Sequence, residues 1–181
     1  MGTFIITEGQ SIDDRMIIYR LPLIFQGMGF TMAKSCEYCQ IDGGYGKLIK
    51  ETPYWMIFLA PSQRYLGTCV VALKRQCQDL SELEDEEWED FIGILQKLEH
   101  SLKKTFNPTL FNWSCFKNKA FRDGDPNPEI HWHFHPRYQE KVQFSGLEFE
   151  DPDFGYVPKT TPYKVPEEIM LKIISAIQEN L

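Results

Sequence analysis

The chain lacks a long apolar run, an excess of positive charge and any repeat or low-complexity tract, and each absence removes a class of protein. Its most apolar stretch, Met16 to Phe25, is broken by Arg20 and Pro22 and is shorter than the roughly 20 residues that cross a bilayer, so no membrane anchor is expected. The N-terminal residues also lack the basic start, unbroken apolar run and small-residue cleavage site of a secretory leader. Lysine and arginine number 19 against 26 aspartates and glutamates, a formal net charge of -7. A field of that sign repels polyanions such as duplex nucleic acid, although a local basic pocket can still hold a small anion. Five cysteines, an odd count, fit a reducing cytoplasm, with thiols or metal ligands rather than disulfides.

What is present suffices for one globular domain with extensions: 181 residues, 43% hydrophobic and 14% aromatic. Trp88, Phe91, Ile92, Leu95, Leu98 and Leu102 recur at helical spacing and predict a helix from about Glu84 to Lys104, with acidic residues in its first turn and Asn107-Pro108 ending it. A second amphipathic helix is expected from Pro166, with Ile169, Ile173, Ile174 and Ile177 on its apolar face. Trp55 to Ala60 and Thr68 to Leu73 read as buried strands before the long helix, and Thr109 to Phe116 and Glu129 to His135 as strands after it. Strand, strand, helix, strand, strand with short connections predicts an α+β domain, an antiparallel sheet with the long helix packed on one face. The expected division is an N-terminal extension over 1–35, a core domain over 36–145 and a C-terminal extension over 146–181.

The chemistry concentrates in His131-Trp132-His133-Phe134-His135, which holds three of the four histidines. In a strand, alternate side chains share a face, so the imidazoles line one side while Trp132 and Phe134 enter the core. One exposed histidine on a strand is ordinary surface. Three in register can bind a metal, or let one imidazole attack an electrophile while its neighbours handle charge.

This segment resembles the histidine-triad family, nucleotide hydrolases and transferases named for a His-x-His-x-His strand; the resemblance covers about 36–140. Two registers are open. The literal triad is His131, His133 and His135, with His133 as nucleophile. Alternatively, Pro136-Arg137 follows His133 at the spacing at which many members carry Pro-Arg after the third triad histidine. The triad positions are then Glu129, His131 and His133, with His131 as nucleophile. The second register, which we favour, also puts Asn118 and Gly124 where related sequences have residues of the phosphate-binding loop. Two departures accompany it: Glu129 replaces a histidine, and Pro126 stands where relatives often have Ser or Thr. His135 then occupies a normally apolar position and would add positive charge beside the pocket.

The resemblance implies covalent catalysis at the α-phosphate of a nucleoside phosphate ester, anhydride or phosphoramidate. His131 would form a nucleotidyl-histidine, His133 would donate to the phosphoryl oxygens, and Asn118, Gly124 and His135 would line the phosphate and nucleotide site. It implies a small-molecule nucleotide substrate, a cytoplasmic homodimer, and no cofactor for the reaction. A structural zinc is a separate expectation. Cys36-Glu37-Tyr38-Cys39 is a Cys-x-x-Cys knuckle, and in zinc-carrying members its cysteines join a loop histidine and the first triad histidine. Here Cys77 and Glu129 would fill those two places. Cys69 and Cys115, in apolar strands, read as core, and His100 as a helix surface residue. Two rival readings are a histidine-triad domain that binds nucleotides without useful catalysis, and a metal-dependent cupin using His131, His133, His135 and Glu140.

Overall fold

The computed structural model describes residue 38 and residues 45–124, 127–159 and 161–181, all within one compact unit spanning 32–181. The expected extension over 1–35 lies outside the described residues, as do Cys36, Cys39, Asp125 and Pro126.

The sheet has five strands: β1 (Lys47–Glu51), β2 (Trp55–Leu59), β3 (Cys69–Leu73), β4 (Leu110–Ser114) and β5 (His131–Arg137). Their order is β1-β2-β3-β5-β4 and every pairing is antiparallel. This is the expected α+β architecture with one strand more, because Lys-Leu-Ile-Lys-Glu in β1 is too short and too charged to stand out as a strand. Its register with β2 slips between Leu48 and Lys50. The side chain of Ile49 enters the main core. Gly46 leads into β1 at φ +64°, and a Cβ there would collide with the Leu59 carbonyl, so only glycine allows this approach.

Helix α1 runs Asp85–Phe106. The Glu84 N–H donates to the Glu87 carboxylate at 2.9 Å, which closes the first turn, and Asn107 ends the helix in the left-handed conformation with φ 51°. Its buried stripe is Phe91, Ile94, Leu98, Leu102 and Phe106, spaced three or four apart. Ile92 is one step off that stripe and exposed, whereas Ser101 is buried because a second helix lies on it. That helix is α3 (Glu167–Gln178), and a short helix, α2 (Asn118–Arg122), precedes it in the chain.

Pro166 caps α3 rather than starting it. Ile169, Ile173, Ile174 and Ile177 join the core under α1, the Ser101 hydroxyl donates to the Ile177 carbonyl at 2.8 Å, and the Gln178 amide donates to the Ile49 carbonyl at 2.6 Å. The C-terminal helix thus completes the layer on one sheet face. Between β5 and α3 a two-stranded hairpin, β6 (Val142–Phe144) and β7 (Leu147–Phe149), is too short to read from sequence.

The two faces of the sheet differ. Trp55, Ile57, Leu59, Cys69, Val71 and Phe134 pack under the helices. On the opposite face Met56, Phe58, Val70 and Ala72 cluster with Tyr38, and Ala72 and Val70 stand beside His131 and His133 in the register of β3 with β5. Strand β5 starts two residues later than expected. Glu129 and Ile130 precede it, Ile130 bonding through its backbone to Leu73 and Cys77. It runs on through Pro136 because β3 pairs only as far as Phe134, and a proline needs no partner on an open strand side.

Candidate active site

The alternation in β5 separates chemistry from core. Trp132 stacks on Phe91 at 5.0 Å and Phe134 lies 4.3 Å from Trp113, ring centre to ring centre. On the other side the imidazoles form a row: His131 meets His133 edge to face at 4.9 Å, and His133 lies parallel to His135 at 6.1 Å.

His131 is buried, 8% exposed. Its Nδ1 lies 2.7 Å from the Glu129 carbonyl oxygen. A carbonyl only accepts, so in this bond Nδ1–H donates and the lone pair resides on Nε2. The contact uses the main chain of Glu129, so a glutamate serves as well as a histidine in holding this ring. Tyr38 stacks on His131 at 4.5 Å, 27° from parallel, which fixes the ring from the side.

His133 stands opposite Ser114 of β4. Burial, followed by the neighbouring imidazoles of His131 and His135, lowers its pKa to about 4. His135 faces Asn112, and burial together with the Arg137 charge lowers it to about 4 as well. Both rings are therefore neutral near pH 7, so the positive charge expected from His135 is absent for this reason. Its Nδ1 is buried without a hydrogen-bond partner among the described residues.

Arg137, next on the same strand, is fully committed. Its Nε and Nη2 donate to the Asp151 carboxylate at 2.6 and 3.1 Å, Nη1 to the Asn112 side chain and the Tyr156 carbonyl, and Nη2 also to the Asp153 carbonyl. The Asp153 carboxylate in turn takes Lys159 and Arg64, which hold it down at about 2. Arg137 is a clamp that ties the segment after β7 to the end of β5. Nothing in the sequence pointed to Asp151 or Asp153, because their arginine partners, Arg137 and Arg64, lie 14 and 89 positions away and leave no local pattern.

Asn118 opens α2 and is exposed. Gly124 follows that helix at φ +76°, a conformation suited to glycine; its N–H donates to the Phe121 carbonyl at 3.3 Å. The 118–124 segment is thus partly helical. Phe116, expected at the end of a strand, lies beyond β4 and puts its ring 6.4 Å from that of His133.

Of the expected zinc ligands, Cys77 and Glu129 are among the described residues. Backbone bonding brings Cys77 next to Ile130. Its thiol donates toward the Asp79 carbonyl at 3.4 Å and the Glu82 carboxylate at 3.6 Å, and burial raises its pKa. Among the described residues no group of three or more His, Cys, Asp or Glu gathers to hold a metal ion. Also among them, no helix is long and apolar enough to cross a membrane.

Comparison with known proteins adds the family. A comparison with curated proteins finds no match. Among solved structures the chain is similar to a hypothetical histidine triad nucleotide-binding protein of Sulfolobus tokodaii, at 15% identity and TM-score 0.58 over 80% of this chain and 91% of that one. It is similar to a Zn-bound histidine triad family protein of Mycobacterium smegmatis, at 21% identity and TM-score 0.52 over 80% and 94% of the two chains. A HIT family protein of Bacillus anthracis matches at 28% identity and TM-score 0.50 over 82% and 99%. The HIT domain profile matches residues 44–140, more than half of the chain and including the whole histidine strand. The mid-chain helix α1, packed on the sheet that carries the imidazole row, is foreign to the all-β barrel of a cupin. The chain belongs to the histidine-triad (HIT) family.

Proposed function

We propose that this protein is a nucleotide hydrolase or nucleotidyl transferase acting at an α-phosphate, with His131 as nucleophile. The observation that carries the reading is the 2.7 Å contact between His131 Nδ1 and the Glu129 carbonyl, which leaves the lone pair on Nε2. Nε2 attacks the α-phosphorus, a P–N bond forms, and the bond to the leaving group breaks with its electron pair. The imidazolium so formed keeps its Nδ1–H on the Glu129 carbonyl. Water then attacks phosphorus, releasing nucleoside monophosphate, a proton and free His131; another acceptor in place of water makes the reaction a transfer. Neutral His133 donates one hydrogen bond to a phosphoryl oxygen as charge develops, while Asn118 and Gly124 border the phosphate and His135 extends the pocket wall.

Incubation with dinucleoside polyphosphates and with adenosine phosphoramidate, followed by an acid-free quench, tests this. Covalent nucleotide and released AMP are expected, both lost in His131→Ala. Labelling that survives His131→Ala but disappears in His133→Ala overturns the register and makes His133 the nucleophile. A domain that binds nucleotides without catalysis is the second reading, favoured by the exposure of Asn118 and by Pro126, which has neither hydroxyl nor backbone N–H; binding of AMP with no turnover of either substrate selects it.

The proposal extends to a cytoplasmic homodimer and to a structural zinc held by Cys36, Cys39, Cys77 and Glu129, for which Cys77 must give up its thiol proton. Zinc content of the full chain near one per protomer, lost in Cys36→Ser, is the expected result, and a metal-free, fully folded chain rules the zinc out. Sedimentation analysis tests the dimer.

A further inference from the structure

A cavity of about 150 Å³ lies on the helix-covered face of the sheet, away from the histidines, between β1, β2 and the first half of α1. Two local irregularities meet in it. The first is the slip in β1, where Leu48 pairs with Phe58 of the histidine-side cluster but Lys50 pairs with Ile57 of the main core. Paired residues share a sheet face, so the bulge turns Lys50 toward α1. The second is Gly93. Apart from proline no residue suits a helix interior less, yet a Cβ at this position would meet nothing within 4 Å outside its own stretch of helix. Packing within the described residues therefore does not demand a glycine. Glu89, Gly93 and Lys97 stand at i, i+4 and i+8 along one ridge of α1, and the missing side chain leaves a notch in that ridge.

The cavity is polarised. At one end the Thr52 hydroxyl and the Tyr54 N–H donate to Asp90 Oδ2 at 2.7 and 3.1 Å, which pins the end of β1 to α1 and commits that oxygen. Glu89 lies beside it without a partner among the described residues. From the pin the cavity reaches back along the strand to Lys50 and forward along the helix to Lys97, and neither lysine has an ion-pair partner among the described residues. Ile57, Ile94 and Leu181 line the space between. Asp90 and Lys97 are about 10 Å apart along the helix axis, and flexible lysine stems shorten the gap that a ligand has to span. An α-amino acid carries its two charges side by side and cannot reach both ends. A molecule with an ammonium and a carboxylate at opposite ends of a short alkyl chain matches the two poles and the apolar wall.

We propose that this cavity is a binding site for ω-amino acids, small zwitterions whose ammonium meets Glu89 and whose carboxylate meets Lys50 and Lys97. It is separate from the histidine row, and its test does not depend on turnover.

The probes are 6-aminohexanoate, hexanoate and hexylamine, which share an alkyl body and differ in their charged ends. Each is titrated into the full chain and followed by backbone amide NMR shifts. Saturable shifts centred on Gly93 and Lys50 are expected for 6-aminohexanoate, with a Kd on the order of 1 mM. Each single-ended probe should bind about threefold more weakly, the worth of one exposed charge contact. Lys50→Ala should weaken 6-aminohexanoate by about threefold and leave hexylamine unchanged, a difference that high salt removes. Gly93→Leu fills the notch and should abolish binding. Gly93→Ala, whose methyl group has open space, should weaken binding while raising the urea midpoint, because alanine suits a helix interior better; loss of the site is then separated from loss of the fold. Absence of saturable shifts at the cavity, or binding that both Gly93 variants leave intact, overturns the site. Hexanoate or hexylamine binding as tightly as 6-aminohexanoate overturns the two-ended recognition, and with it the ligand class.

Discussion

The two ends of β5 treat buried polar groups in opposite ways. At Arg137 every guanidinium N–H has a defined acceptor, and Asp151 and Asp153 supply most of them. At His133 and His135, four and two residues before Arg137 on the same strand face, burial holds the rings neutral, and the Nδ1 of His135 has no partner among the described residues. A buried polar side chain whose hydrogen-bonding capacity is spent stabilises the fold. One whose capacity is unspent costs stability and is kept where it serves chemistry. On one seven-residue strand the contrast separates a structural end from a reactive one.

The contrast can be broken at either end. His131→Ala should reduce turnover by about three orders of magnitude or more while leaving the urea midpoint close to that of the parent, read by steady-state kinetics and equilibrium unfolding. Asp151→Ala should do the opposite. It strands the buried Arg137 charge at a cost of about 3 to 5 kcal/mol, seen as a lower urea midpoint, with specific activity retained in the fraction that stays folded. The double variant Arg137→Met, Asp151→Leu should recover most of that loss, because it removes both charges instead of isolating one.

Acid sharpens the comparison. His133 and His135 titrate at about 4 in the folded chain and near 6.5 when unfolded. Between these values the unfolded state binds more protons, so stability is unaffected by these groups above pH 6.5 and falls as pH drops toward 4. Urea midpoints across that window should show the slope, and His135→Leu should flatten it. At neutral pH the same substitution should be the mildest change of all, raising stability by about 1 kcal/mol because it removes an unsatisfied buried nitrogen. A loss of stability there would mean that Nδ1 of His135 is satisfied in solution.

Much of this was legible in the sequence because it is periodic. Alternation in 131–135 announced the two faces of β5, and the spacing of Phe91, Leu98 and Leu102 announced α1, since burial on one side of a regular element repeats with that element's period. What escaped has no period. Asp151 and Asp153 meet Arg137 and Arg64 only after the chain folds back. β1 and the β6–β7 hairpin are short and charged, and draw their order from partners across the sheet. Tyr38 was visible only as filler between Cys36 and Cys39, and its stacking on His131 depends on a long-range approach. The phosphate-binding-loop expectation for Asn118 and Gly124 carried no helix, whereas Lys-Ala-Phe-Arg favours the helical turn that α2 forms.

The bulge at Ile49 bears on solubility. An open strand edge is a template on which other chains can add, and long flat edges seed fibres. Here the β1 margin of the sheet is kinked where its pairing slips, its bulged carbonyl is already taken by Gln178, and its lysine and glutamate side chains are drawn into pairs with Glu167 and Lys74. That margin offers an incoming strand neither a straight backbone nor a full set of vacant carbonyls, so the sheet is closed to growth on the β1 side without being closed into a barrel.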